Sequence, residues 1–306
     1  MFKKILFATS ASPACDHAAR TAFDLAKRYN AQIILLHVLG TPSRGFGGQY
    51  VTDLRTGEQV ACDNEYLQWV QEELKNIYAK QLAQCSDFRL EILVGYPHRE
   101  ILRIARSEDV DIIVMGASAH EKGEEEALYK KGIMGSTSQK VAKAARCPVL
   151  FINRPAGSYW GGFSNIIFGT DFSKAAEAAF LFAYKLAKAL NCELHLFHVF
   201  DISAVHAGKV MDQEQIDDGI REARQKIRGR YMSNIKDFNN YNIDVWEGIP
   251  HVEIVKFARE KQADLIVMAH HTNELDPEKA RLGSTVEQVV LRAICPVVSV
   301  NRTDKV

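Results

Sequence analysis

Apolar residues recur along this chain in two distinct patterns. The runs Ile33–Val38, Ile112–Met115, Ile166–Phe168 and Leu265–Met268 are continuous, without a polar residue at every second place. Strands buried on both faces look like this, so the runs predict a parallel sheet covered by helices. Between them, residues 175–190 and 251–261 carry apolar side chains at helical period, which predicts amphipathic helices packed on that sheet. Ser12-Pro13 and Ser173 supply helix starts, with Pro13 at the first helical position. The order predicted for each half is β-α-β-α-β-α-β-α-β, a doubly wound α/β domain.

The pattern occurs twice. KKILFATSAS…AFDLAKRYNAQIILLHVL returns as SNIIFGTDFS…LFAYKLAKALNCELHLFHVF, which sets His37 against His198 at a shift of 161. Further on, Gly135-Ser136-Thr137 matches Gly283-Ser284-Thr285, and Cys147-Pro148 matches Cys295-Pro296. A unit this long exceeds the roughly 20–50 residues of a solenoid repeat, so it reads as a duplicated domain. The expected organisation is a domain at 1–153, a linker at 154–161 and a second domain at 162–306. Each is long enough to bury roughly two-thirds of its unfolded surface. Two stretches break the symmetry. Residues 40–65 form a longer connection whose segment 50–60 suits a short hairpin, and residues 121–131 are a charged run before the Gly-Ser-Thr turn. The counterpart of that run in the second half, residues 273–282, is shorter. Long loops at this edge of a sheet serve as binding lids or as plain solvated connections.

Charge and cysteine content exclude several classes. Lys plus Arg number 38 and Asp plus Glu 38, with no basic block, which argues against a nucleic-acid surface. No apolar run approaches the roughly 20 residues of a membrane helix. The opening Met1–Ala8 is too short in its apolar part for a signal peptide. The expectation is a cytoplasmic protein without membrane or nucleic-acid partners. Six cysteines without a Cys-x-x-Cys pair fit a reducing compartment; Cys147 and Cys295 read as small buried thiols. The phosphate loop G-x4-G-K-S/T, the nucleophile elbow G-x-S-x-G and the zinc motif H-E-x-x-H are absent, so no catalytic residue is assigned.

An open parallel sheet binds ligands outside the carboxyl ends of its strands, at the topological switch point. The second half places there Gly169, Thr170 and Asp171 after its first strand, and Val199 after its second. Met268, Ala269, His270 and His271 follow its fourth, and Gly283, Ser284 and Thr285 open its last helix. Asp171 can accept from ribose hydroxyls or an amine edge, and Val199 offers a backbone edge to a base. Gly283 lets a phosphate reach the free N–H groups of the next turn. The first half offers Ala8, Val38, Gly116, Gly135, Ser136 and Thr137. Plainer readings compete. Ser136-x-x-Gln139 and Ser284-x-x-Glu287 both fit a capping box, and a lone Asp after a strand suits a turn. His198, His251, His270 and His271 suit packing or phosphate contact, with zinc binding a weaker alternative.

These residues carry a resemblance. IIFGTDFS, HVF, EGIPHVEIVKFA and ADLIVMAHH…GSTVEQVVLRAICPVVSV in the second half, with their counterparts in the first, resemble the universal stress protein family in its tandem form. The resemblance implies a five-stranded parallel sheet with helices on both faces, Rossmann-like in plan. It also implies a stress-response protein binding or sensing an adenine nucleotide such as ATP or AMP, with or without Mg²⁺. Nucleotide-binding members carry an Asp after strand one and a loop G-x2-G-x9-G-S/T. Here Ser10 takes the place of that Asp in the first half, whose loop keeps Gly116 and Gly135 but has Ala119 and extra length. The second half keeps Asp171 but reads Ala269 and Thr272 where the first two glycines belong. An alanine restricts φ and adds a methyl where phosphate must approach. The second half is therefore expected to be the main nucleotide site. The alternatives are a nucleotide-free scaffold for an unidentified protein partner, and slow ATP hydrolysis or autophosphorylation at Ser284 or Thr285. The final strands, residues 149–153 and 297–301, are apolar; by resemblance they pair within the chain as a pseudo-dimer, with a homodimer as a further possibility.

Overall fold

A computed structural model of the chain describes residues 1–41, 50–53, 56–117, 134–153, 163–202, 211–270 and 284–301. The expected linker and both unequal loops, residues 121–131 and 273–282, lie outside them. Contacts divide the chain into Met1–Asn153 and Arg154–Val306.

In the first unit the runs Ile33–Val38 and Ile112–Met115 fall in strands β2 (Gln32–Gly40) and β6 (Ile112–Gly116), which β1 (Lys4–Thr9), β5 (Phe88–Gly95) and β7 (Val149–Ile152) join. They pair in parallel in the order β7-β6-β1-β2-β5. The expected hairpin is present as β3 (Tyr50–Thr52) and β4 (Gln59–Ala61), antiparallel and hung from the end of β2 through Gly40 and Thr52. Helices α1 (Asp16–Tyr29), α2 (Asn64–Ile77), α3 (Ala79–Leu82), α4 (Pro97–Ser107) and α5 (Ser136–Ala144) fill the connections. Alternation along β1 separates the two faces. Phe7 meets Phe23 of α1 at 6.4 Å and Tyr78 at 5.6 Å, whereas Ala8 lies on the side of Ile101 in α4.

The second unit repeats the plan with β8 (Asn165–Gly169), α6 (Lys174–Leu190), β9 (Glu193–Asp201), α7 (Gln213–Tyr231) and β10 (Tyr241–Gly248). After these come α8 (Pro250–Glu260), β11 (Leu265–Ala269), α9 (Ser284–Arg292) and β12 (Val297–Val300). Its parallel order is β10-β9-β8-β11-β12. In both units the first strand is central and the connection reverses direction beside it, so the switch points fall between β1 and β6 and between β8 and β11.

Local chemistry explains how the ends of these elements are set. The Asp111 carboxylate accepts the N–H groups of Lys3 and Lys4 at 2.7 and 2.9 Å. Asp264 does the same for Ser164 and Asn165 at 2.7 and 3.1 Å, so each central strand begins pinned to its neighbour. Helices α1 and α6 both stop on an asparagine in the left-handed region, Asn30 at φ 49° and Asn191 at φ 53°, a conformation asparagine tolerates better than most residues. Ser173 caps α6 by accepting from the Ala176 N–H at 3.2 Å. Ser12 precedes a 3₁₀ turn, Pro13–Cys15, but its hydroxyl makes no capping bond. None of the six cysteines forms a disulfide. Burial pushes the Cys192 thiol up to about 11 and that of Cys295 up to about 12, so both are inert at neutral pH.

Candidate functional site

The carboxyl ends of β1, β2 and β6 open into a cavity of about 350 Å³ in the first unit, within the size range of small-molecule sites. Ala8, Val38, Gly116, Gly135, Ser136 and Thr137, the six first-half positions singled out by the sequence, all line it. Leu36, Ile101 and Met115 add apolar wall, while Ser10, Ser12 and Cys15 border it from the turn after β1. None of the described lining residues carries a formal charge.

The capping-box reading fails at α5. Gly135 is the N-cap residue, with φ −56° and ψ 139°, and no side chain caps the helix. Ser136 is already inside the helix, one place too late for the box. The Gln139 amide instead donates to the Met134 carbonyl at 3.1 Å. The Ser138 hydroxyl donates to the Gly116 carbonyl at 3.0 Å, tying the helix opening to the end of β6. No described residue accepts from the N–H groups of Ser136, Thr137 or Ser138. The opening of α5 is therefore uncapped and faces the cavity, where backbone donors and the helix dipole favour an anion.

Both units build the turn after the central strand with the same parts. Thr9 Oγ1 and Tyr78 Oη lie 2.6 Å apart, as do Thr170 Oγ1 and Tyr231 Oη. Each threonine also accepts an N–H two residues on, from Ala11 at 2.9 Å and Phe172 at 3.0 Å. Those two residues occupy the left-handed region at φ 58° and 61°. His37 Nδ1 donates to the Thr9 carbonyl at 3.0 Å and His198 Nδ1 to that of Thr170 at 2.7 Å, which fixes the tautomer of a neutral ring. Burial raises both phenols, so the tyrosines stay protonated. Sequence reasoning missed this pair. The signal was a tyrosine in both halves, Tyr78 and Tyr231, hidden because loops of unequal length change the shift between copies.

The second unit buries Thr170, Val199 and Met268 as the first buries Thr9, Val38 and Met115, and differs at the residue after its central strand. Asp171 is exposed, and its Oδ1 accepts the Ser173 N–H at 2.9 Å, the local bond of a turn. Arg230 holds that turn from α7, donating to the Phe172 carbonyl, to the Ser173 carbonyl at 3.3 Å and to Glu177 at 2.8 Å. Thr170, Val199, Met268 and Ala269 are buried. A side chain added at Gly169 would meet Met268 Cγ at 3.4 Å and Ile254 Cδ1 at 3.8 Å. Thr285 is half-buried in the first turn of α9, which Ser284 opens. Val286 is buried at the place of Ser138, without a hydroxyl for the tie to the strand end. Gly283 and His271 lie outside the described residues. His270 is buried and its backbone N–H donates to the Val300 carbonyl at 2.9 Å. Among the described residues no three His, Cys, Asp or Glu side chains gather as metal ligands.

Comparison with known proteins agrees with this duplicated architecture. Residues 1–153 and 162–301 each match the universal stress protein family. The chain belongs to that family. Universal stress protein MJ0577 of Methanocaldococcus jannaschii is 31% identical over 166 residues, spanning 50% of this chain and 96% of that protein. Universal stress protein MJ0531 of the same organism is 29% identical over 163 residues, spanning 51% of this chain and 84% of its own length. Among solved structures, a universal stress protein from Archaeoglobus fulgidus DSM 4304 covers 98% of both chains with a TM-score of 0.69 at 21% identity. That likeness establishes the tandem fold. No helix among the described residues is long and apolar enough to cross a membrane.

The turn of the second universal stress protein unit carries a pH dependence. Burial holds the His198 imidazole below its ordinary pKa, partly offset by the Thr170 carbonyl and by Asp171. An unfolded histidine titrates near about 6.5, so between that value and the lower folded one the unfolded chain binds more protons. Stability is then complete above about pH 6.5, falls as pH drops below it, and levels off below the folded pKa. Urea midpoints measured from pH 7.5 to 5.0 are expected to decline, and His198→Gln to shallow the decline. An unchanged slope in the variant would mean that His198 contributes nothing to it.

Proposed function

We propose that the first unit binds an adenine nucleotide, such as ATP or AMP, in the cavity at the ends of β1, β2 and β6. The observation that carries this reading is the uncapped opening of α5 facing a cavity of about 350 Å³. Apolar walls from Leu36, Val38, Ile101 and Met115 suit the flat face of a base. The N–H groups of Ser136 to Ser138 suit its phosphates. The family relationship supports the same ligand class. Among the described lining residues there is no carboxylate to hold Mg²⁺.

The second unit supports a different role. With Asp171 engaged in its own turn and Val286 standing in place of Ser138, it fits a unit that keeps the fold for contact with a protein partner. On this reading the main site is in the half that retains Gly116 and its cavity, rather than in the half that retains the aspartate.

Ligand-induced stabilisation tests the assignment. A ligand at 100 times its dissociation constant stabilises the state that binds it by roughly 2.7 kcal/mol, so saturating ATP should raise the melting temperature. Gly116→Ala is a suitable control because a Cβ there meets only Ala14 O at 3.5 Å and Cys15 Sγ at 3.9 Å, ordinary contacts that leave the fold intact. The variant should melt like the parent and lose the ATP shift. A shift of the same size in both would place the nucleotide elsewhere.

A further inference from the structure

Ser10 and Asp171 occupy the same place in the two units. Each follows a threonine whose Oγ1 accepts the N–H two residues on, and each precedes a residue near φ 60°. The backbone is the same and the side chain is not. Asp171 brings a carboxylate to the strand end and spends one oxygen on the Ser173 N–H. Ser10 brings a neutral hydroxyl, 2.9 Å from Ser12 Oγ and 3.3 Å from Cys15 Sγ.

All three of these side chains line the first-unit cavity. Ser12 is buried, and its hydroxyl and backbone N–H cap no helix and meet no described backbone acceptor. Asp16, the acid closest in sequence, is exposed and does not line the cavity. The cavity side of Ser10 therefore presents hydroxyl groups and no carboxylate, while Asp53 and Glu73 line a small separate pocket that Ser10 also borders. An acidic residue at such a strand end accepts from ribose hydroxyls and repels a phosphate attached to them, while a neutral donor set lifts that repulsion.

We infer that Ser10 is a specificity-determining residue, and that the first cavity takes a nucleotide phosphorylated on its ribose as well as at its 5′ position. The 5′-phosphate lies at the opening of α5 and the ribose phosphate against Ser10 and Ser12. This rests on the nucleotide reading above and adds a ligand class to it.

Calorimetric titration with ATP and with adenosine 3′,5′-bisphosphate tests the inference, using the full chain, Ser10→Asp and Ser10→Asn. The parent should bind the bisphosphate at least as tightly as ATP. Ser10→Asp should weaken the bisphosphate at least about tenfold, because juxtaposed like charges oppose binding strongly, and change ATP affinity by less than about threefold. Ser10→Asn, equal in shape to Asp but neutral, should keep the bisphosphate. If the parent binds ATP and binds the bisphosphate more than about tenfold more weakly, this inference falls and the nucleotide reading stands. If Ser10→Asn loses the bisphosphate as Ser10→Asp does, the effect is one of shape and the charge argument is wrong. If the parent binds neither nucleotide, both readings fall.

Discussion

Replacing Tyr231 by Ala is expected to destabilise the second unit by about 3–5 kcal/mol, the range for truncating a fully buried aromatic side chain. Tyr231 has no exposed surface. Its ring packs on Phe168 at 5.3 Å and on Phe180 at 4.8 Å. The truncation also removes the 2.6 Å partner of Thr170 Oγ1. Tyr231→Phe separates the two contributions. It keeps the ring and deletes the hydroxyl, and Thr170 Oγ1 still accepts from the Phe172 N–H at 3.0 Å. A loss of about 1 kcal/mol is therefore expected for Phe, the ordinary net worth of one hydrogen bond. Urea unfolding of the three proteins measures both. A cost below about 1 kcal/mol for Tyr231→Ala would show that the turn after β8 is not held by this side chain.

The same residue shows where sequence reading runs out. Strands were legible because runs such as Ile33–Val38 and Leu265–Met268 leave no polar face and can only be buried on both sides. The hairpin between Tyr50 and Ala61 was legible as segment 50–60 of the longer connection that breaks the repeat symmetry. The first-half cavity was partly legible, because duplication pointed to Gly116 and Gly135 as counterparts of positions in the second half.

Interactions that depend on distant partners were not legible. Tyr78 and Tyr231 reach back to the central strand across 69 and 61 residues. Nothing in the local pattern marks them as different from other amphipathic-helix residues. The serine pattern at 136–139 matched a capping box by spacing, yet the cap falls on Gly135. One residue of offset turns a satisfied helix start into one with unmet donors. Ser138 escaped notice for a related reason, since its bond to the Gly116 carbonyl spans the long insertion.

Asp171 carried the most weight in the sequence, and in the structure one of its oxygens makes the local bond of a turn. A motif gives the residue type, while the hydrogen-bond partner decides its work. Here the partner is the Ser173 N–H, with Arg230 bracing the same turn. Ser10, which counted against the first half, borders the cavity of about 350 Å³.

The central claim is that nucleotide binds at the opening of α5 in the first unit, and Ser136→Asp addresses it most directly. An acidic residue in the first turn of a helix is compatible with the helix dipole and should leave α5 folded. The same charge stands where the phosphates would lie and should abolish their binding. Calorimetric titration of ATP into the parent, Ser136→Asp and Asp171→Ala is the decisive measurement. The account predicts micromolar binding by the parent, at least about hundredfold weaker binding by Ser136→Asp, and near-parent binding by Asp171→Ala. Flat heats for the parent at millimolar ATP, or binding that survives Ser136→Asp and disappears in Asp171→Ala, would contradict it.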